Sequence, residues 1–332
     1  MQKSLKILQD AQLALNKLDA ERAEENDDVL HPNDFRSRLL VADGGNGLHV
    51  QYDGEVWQDG EVCAFEIALK GICEAANDIV SLKFVGSDEG ANGLRTHDFA
   101  AMLTTKASFP NLLELTIRPT DVADHNFVDV EANQLAALIA RCPNLERLTL
   151  PHAPEPDFFN IKLHNLYYLR IGIGWQLYDF IGNLAKSSNF PSLTVLDFSD
   201  SLSVFQVGIS NPPVTPTNFA ESAGFFKSMG FDDAILADLQ KIVDNAHAEV
   251  MGESRYDDNY TSLSAYQALF ESTTLKKGAV FHLRNAYLTQ ADFLQLQNMR
   301  PDLQFSASLE APHVYVQHWQ GKFSKPFKHL II

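Results

Sequence analysis

The sequence predicts an α/β repeat solenoid, with short parallel strands on one face and return helices on the other. Three observations carry this. First, the phrase FPNLLELTI (Phe109 to Ile117) returns as CPNLERLTL (Cys142 to Leu150), LHNLYYLRI (Leu163 to Ile171) and FPSLTVLDF (Phe190 to Phe198), after a weaker copy, NDIVSLKF, from Asn77 to Phe84. Second, the leading apolar position of each copy falls at Ile79, Leu112, Leu145, Leu166 and Leu193, in steps of 33, 33, 21 and 27 residues. Third, helical apolar faces precede later copies: Phe99, Met102 and Leu103; Leu135, Leu138 and Ile139; Leu177, Phe180, Ile181 and Leu184. The last two apolar positions of each LxxLxL point to one side of a short strand, because side chains alternate. No unit encloses a core alone, so neighbours must stack.

The remaining elements follow in chain order. Residues 2–25 carry Leu8, Ala11, Leu15 and Leu18 at helical spacing among charged residues, which predicts a helix covering the open end of the array. HPNDF (His31 to Phe35) ends it, and the turn-rich VADGGNGLH leads into a strand at Leu48 to Tyr52. GGNG lacks the lysine and following helix of a phosphate loop and reads as a turn. Val62, Phe65, Leu69, Ile72 and Cys73 mark an amphipathic helix. After Asp200 the repeat stops, and about 201–265 reads as an irregular insertion with Pro212, Pro213 and Pro216. The pattern resumes with a helix bearing Tyr266, Leu269 and Phe270, then VFHLRNAYLT (Val280 to Thr289), a helix from Asp292, and a closing strand within Arg300 to Ser308. The expected division is 1–45 N-terminal helix and linker, 46–312 repeat domain, and 313–332 a cap or tail in which Trp319, Phe323 and Phe327 alternate with lysines.

The LxxLxL copies and their helical returns resemble the leucine-rich repeat family, and the unit lengths are most similar to its ribonuclease-inhibitor-type horseshoes. A strand such as LHVQYD followed by a helix ahead of the repeats is similar to bacterial cytoplasmic leucine-rich repeat proteins. The resemblance spans residues 46–310 and implies parallel strands on a concave face, helices on a convex face, and binding of another protein. The asparagine usual after LxL is missing from most copies, so atypical turns are expected there.

The 332 residues carry 43 acidic and 26 basic side chains, a formal charge of -17. This balance disfavours nucleic acid and anionic membrane as partners. No run of eighteen apolar residues occurs, and the N-terminus is broken by charge from Lys3 onward. Cys63, Cys73 and Cys142 are too few and too oddly spaced for a disulfide framework or a zinc site, so reduced thiols and a cytoplasmic location are expected.

On a horseshoe of this type, the positions around LxL that line the concave face are Ser81, Lys83 and Val85; Glu114, Thr116 and Arg118; Arg147, Thr149 and Pro151; Tyr168, Arg170 and Gly172; Val195, Asp197 and Ser199; and Val280, His282 and Arg284. Five are cationic and two anionic, against the global balance. Lys83, Arg118, Arg147, Tyr168, Arg170, Asp197, His282 and Arg284 are the candidate partner-binding residues, with Arg118, Arg147 and Arg170 expected to form a ladder suited to carboxylates or phosphates.

Chemical motifs are sparse. Asp121, Asp124, His125, Asp129 and Glu131 match no calcium loop and read as a solvated acidic loop. His152 and Asp157 lie in the proline-rich PHAPEPD without an obvious nucleophile. His313 and His318 lack helical metal-ligand spacing, and no nucleophile elbow, Walker or dinucleotide motif is present. The expected function is therefore non-catalytic recognition of another protein with an acidic surface, without a cofactor or metal. The competing readings are an accessory subunit of an enzyme complex and a self-associating structural protein.

Overall fold

In a computed structural model, residues 1–25, 37–54, 56, 63–86, 94–120, 127–174, 176–200, 227, 236–237, 261–286 and 288–308 are described. Among them are seven α-helices and eleven strands: α1 (Gln2–Glu25), β1 (Arg38–Asp43), β2 (Leu48–Asp53), α2 (Ala64–Ala75), β3 (Ile79–Phe84), β4 (Leu94–His97), α3 (Ala100–Thr104), β5 (Glu114–Ile117), β6 (Phe127–Val130), α4 (Leu135–Ile139), β7 (Arg147–Leu150), β8 (Tyr168–Ile171), α5 (Phe180–Lys186), β9 (Val195–Ser199), α6 (Leu263–Glu271), β10 (Val280–Arg284), α7 (Gln290–Met299) and β11 (Gln304–Ser308). A 3-10 turn, Pro156–Asn160, stands between β7 and β8 in place of a helix.

Nine strands form one sheet in the order β1-β2-β3-β5-β7-β8-β9-β10-β11, parallel throughout except for the β1–β2 hairpin. Spatial order thus follows chain order, as expected when each strand is returned by a helical or turn segment beside its predecessor. Register aligns Leu82, Leu115, Leu148, Leu169, Leu196, Phe281 and Phe305 in one row. Every one of these is buried, and all belong to one hydrophobic core. The alternate positions stay partly open along β5, β7, β8 and β10. This is the period-two signature of a sheet with one packed face.

The repeated phrase owes its form to backbone bookkeeping at the strand entrance. In each of four copies the leading leucine amide closes a turn onto a carbonyl three residues back: Leu112 on Phe109, Leu145 on Cys142, Leu166 on Leu163 and Leu193 on Phe190. The residue just before the leucine then ties its unit to the preceding one. Asn111 Nδ2 donates to the Asn77 carbonyl at 2.7 Å, Asn144 Nδ2 to that of Pro110 at 2.7 Å, and Ser192 Oγ to that of His164 at 2.5 Å. Arg141 performs a larger service, donating to the carbonyls of Met102 and Leu103 in α3 and of Thr105 and Ala107 just beyond it. Arg300 does likewise for Phe270 and Leu275 while paired to Asp302.

Helix α1 packs on α2 and buries Leu8 and Leu15, whereas Ala11 and Leu18 are only partly covered. Its N-terminus is fixed by Asp78, which meets the terminal amine at 2.5 Å and accepts from Ser4 Oγ at 2.6 Å.

Three elements depart from the sequence reading. Arg38–Asp43 is a strand, so the N-terminal linker contributes β1, and Asp43 to Leu48 turns the hairpin. Positive φ at Gly45 and Gly47 explains the glycines of that turn. The chain also makes a second, two-stranded parallel sheet, β4 with β6, between the helical returns. Phe127–Val130, with Asp129, is consequently a strand rather than part of a solvated acidic loop; Asp121, Asp124 and His125 lie outside the described residues. Cys63 and Cys142 are buried as free thiols, but Cys73 is only half-buried; burial pushes the Cys142 thiol up to about 12. Most of the expected 201–265 insertion lies outside the described residues, but its last three residues already belong to α6, so the repeat resumes earlier than the sequence suggested; the 309–332 tail, with His313 and His318, lies outside them altogether.

Candidate functional site

The open face of the large sheet is a grid set by register. One row runs His49, Ser81, Glu114, Arg147, Tyr168, Val195, Val280, Gln304, and the next Gln51, Lys83, Thr116, Thr149, Arg170, Asp197, His282, Ser306. Arg284 lies beside Ser199 and Ser308 in the row beyond. Arg118 directly follows β5, its amide bonded to the Phe84 carbonyl at 2.9 Å.

Arg118, Arg147 and Arg170 therefore do not form a ladder. They occupy three different rows on three adjacent strands, β5, β7 and β8, and face one another diagonally. In-register neighbours lie about 4.8 Å apart and a two-residue step along a strand adds about 6.6 Å, so the Arg147–Arg170 diagonal separates backbones by roughly 8 Å, whereas Arg118, four residues along from the position opposite Arg147, stands roughly 14 Å from it.

Two carboxylates organise the charge. Glu114 receives Lys83 Nζ at 3.5 Å, Arg147 Nε at 3.9 Å and Ser81 Oγ at 2.9 Å. Asp197 receives Arg284 through Nε at 2.6 Å and Nη2 at 3.0 Å, and Arg170 Nε at 3.8 Å. Each acid thus joins two cations, and each triad keeps one net positive charge. The bonding is unequal. Arg284 is clamped bidentate with a side chain 19% exposed, while Lys83, Arg147 and Arg170 make long contacts and stay 41%, 43% and 38% exposed. Asp197 is itself buried, so its role is to hold arginines rather than to meet a partner.

Tyr168 lies under Arg147, whose guanidinium carbon is 4.3 Å from the ring centroid, and Tyr167, outside the predicted set, bonds Arg147 Nη1 through its hydroxyl at 3.2 Å. An arginine between two tyrosines is a combination enriched at interface hot spots. His282 is occupied locally, with Nδ1 2.7 Å from Ser306 Oγ and Nε2 3.0 Å from Ser308 Oγ.

A second polar cluster sits beyond the strand ends. His152 Nε2 is 2.8 Å from Asp129 Oδ1, and Nδ1 is 2.9 Å from the Ala153 carbonyl. Burial opposes ionisation of Asp129, yet the His152 hydrogen bond and charge, with the Val130 amide, hold its carboxyl below the usual range. The sequence treated these two residues separately; β6 brings them together. Beneath lies His97, fully buried, stacked near Phe99 and facing the Asp129 carbonyl at 3.3 Å, with Arg95 on the same strand. Burial drives the His97 pKa down to about 4. A folded-state pKa below the ordinary 6.5 means the unfolded chain binds the proton more readily. Stability from this group is full above that value and is lost as pH falls towards 4, by about 3 kcal/mol in total. Urea midpoints measured at pH 7 and pH 4.5 are expected to fall less for His97→Phe than for the parent; equal falls would contradict this.

Among the described residues no group of three or more His, Cys, Asp or Glu side chains is placed to hold a metal ion, and no helix is long and apolar enough to cross a membrane. No family model, curated protein or solved structure matches this chain.

Proposed function

We propose that the chain is a leucine-rich repeat solenoid of the ribonuclease-inhibitor type that binds another protein, stoichiometrically and without turnover, through the open face of its sheet. The partner surface is acidic, the 201–265 segment adds to the contact, and the compartment is a reducing cytoplasm. The observation that carries this reading is the pair of charge triads. A chain with net charge -17 sets Lys83 and Arg147 around Glu114, and Arg170 and Arg284 around Asp197, on consecutive strands. Charge of this sign, opposite to the global balance, selects acidic partners and speeds encounter. The adjoining Tyr168 supplies a rigid apolar surface at low entropic cost.

Replacing Arg118, Arg147 and Arg170 together with Ala is expected to abolish capture of the partner from extracts of the native host. The sheet should survive, since its core row is untouched. Capture by the parent and loss by the variant, with unchanged circular dichroism, is the expected result; equal capture by both would remove this face from consideration.

A further inference from the structure

The geometry points to a phosphate-recognition cradle centred on Thr116 and Thr149, which takes a phosphorylated serine or threonine side chain of the partner protein. This rests on the recognition role proposed above and names its ligand chemistry.

Thr116 and Thr149 are in-register neighbours at the middle of the face, both half-buried. Neither hydroxyl has a hydrogen-bond partner among the described residues. Lys83 flanks the pair in the same row on β3 and Arg170 on β8. Arg147 precedes Thr149 by two residues on β7, and Arg118 follows Thr116 by two, just past the end of β5. The four cationic backbones surround the two hydroxyls at roughly 14 Å across, from a strand spacing of about 4.8 Å and a rise of about 3.3 Å per residue. Lysine and arginine side chains span half that width.

Two of these cations, Lys83 and Arg170, rest at the rim on weak anchors, 3.5 Å from Glu114 and 3.8 Å from Asp197. Those distances exceed a charge-assisted hydrogen bond, so turning inward forfeits little. Arg147 is held more firmly, by the Tyr167 hydroxyl at 3.2 Å and over the Tyr168 ring, and contributes charge at the margin. The contrast with Arg284, locked bidentate on Asp197, shows what a committed arginine on this face looks like.

The donor inventory selects the ligand. Two hydroxyls, the Lys83 ammonium and the Arg170 guanidinium fork offer more N–H and O–H groups than a carboxylate with two oxygens and one charge can accept. Glu114 already occupies the rim as a carboxylate and leaves the surround positive. A phosphomonoester brings three terminal oxygens and up to two negative charges. It is the side-chain modification whose charge and acceptor number match this cradle.

The probes are a capped Gly–phosphoserine–Gly tripeptide, a capped Gly–Glu–Gly tripeptide and inorganic phosphate, titrated into the full chain carrying methyl-labelled threonine. The phosphotripeptide should shift the Thr116 and Thr149 methyl resonances saturably, and should bind about tenfold more tightly than the glutamate peptide. Arg170→Gln, and separately Thr116→Val with Thr149→Val, should each weaken it by about five- to tenfold, whereas Lys186→Gln on α5 should not. Stronger binding of the peptide than of inorganic phosphate assigns the cradle to a phosphorylated chain. Inorganic phosphate binding as tightly would overturn the phosphopeptide assignment, and equal affinity for the glutamate and phosphoserine peptides would overturn the phosphate assignment. Shifts that avoid both threonines would overturn the site. Partner capture that needs the three arginines yet survives phosphatase treatment would retain the recognition face and discard the phosphate. Phosphotripeptide binding at Thr116 and Thr149 without arginine-dependent capture would retain the cradle and discard that face.

Discussion

Leu169→Ala is expected to lower the unfolding free energy by about 3 kcal/mol, within the 2–5 kcal/mol range of buried leucine truncations. Leu169 is fully buried at the centre of β8, in register with Leu148 on one side and Leu196 on the other. The cavity opens in a continuous row of apolar side chains with the sheet above it, so little can collapse to fill it. Thr149→Ala, on the opposite face of the neighbouring strand, is expected to cost less than about 1 kcal/mol. Urea denaturation of the two variants checks the contrast. Similar losses from both would mean that the two faces do not differ in burial.

The second large effect belongs to Arg141. Its guanidinium reaches the carbonyls of Met102 at 3.0 Å, Leu103 at 2.5 Å, Thr105 at 2.9 Å and Ala107 at 3.2 Å. These oxygens belong to the end of α3 and the turn that follows, where the Met102 carbonyl also accepts from the Thr105 amide and hydroxyl. Arg141→Met keeps much of the apolar stem and removes every donor, so a loss of about 3 kcal/mol is expected. Arg141→Lys should recover less than half, because an ammonium cannot spread over four acceptors as a planar fork does. Thermal unfolding of both variants tests this; full stability of the lysine form would show that charge alone suffices.

The parallel strands and their order were legible because one short phrase recurs. Leu115, Leu148, Leu169 and Leu196 stand at the same slot of each copy, and the structure sets them in one row. The tie residues Asn111, Asn144 and Ser192 also share a slot, just before the leading leucine, and could have been found by asking which carbonyl each unit must satisfy. So could the failure of the arginine ladder. Counted from the leading leucine, Arg118, Arg147 and Arg170 sit six, two and four residues on, which places them in separate rows. The same count puts Tyr168 beside Arg147, where it stacks. Other features carried no local signal. The strands β4 and β6 have four residues each and pair only with one another. Asp129 and His152 are 23 positions apart and meet only because that small sheet forms. The internal pairing of the cationic face was likewise invisible, since Asp197 and Arg284 are brought together by a strand that arrives after a long excursion.

A distance measurement between spin labels across the sheet is the most direct check on the in-register face from which both the packing and the proposed recognition surface follow. In a Cys73→Ser background, with Cys63 and Cys142 left buried, nitroxides at Gln51→Cys and Ser306→Cys sit seven strand positions apart in one row. Labels at Thr149→Cys and Ser306→Cys sit four apart. Spacings of about 4.8 Å per strand predict separations near 34 Å and 19 Å. Narrow distributions in that order support a single row. Equal separations, or a Thr149 pair more distant than the Gln51 pair, would contradict it.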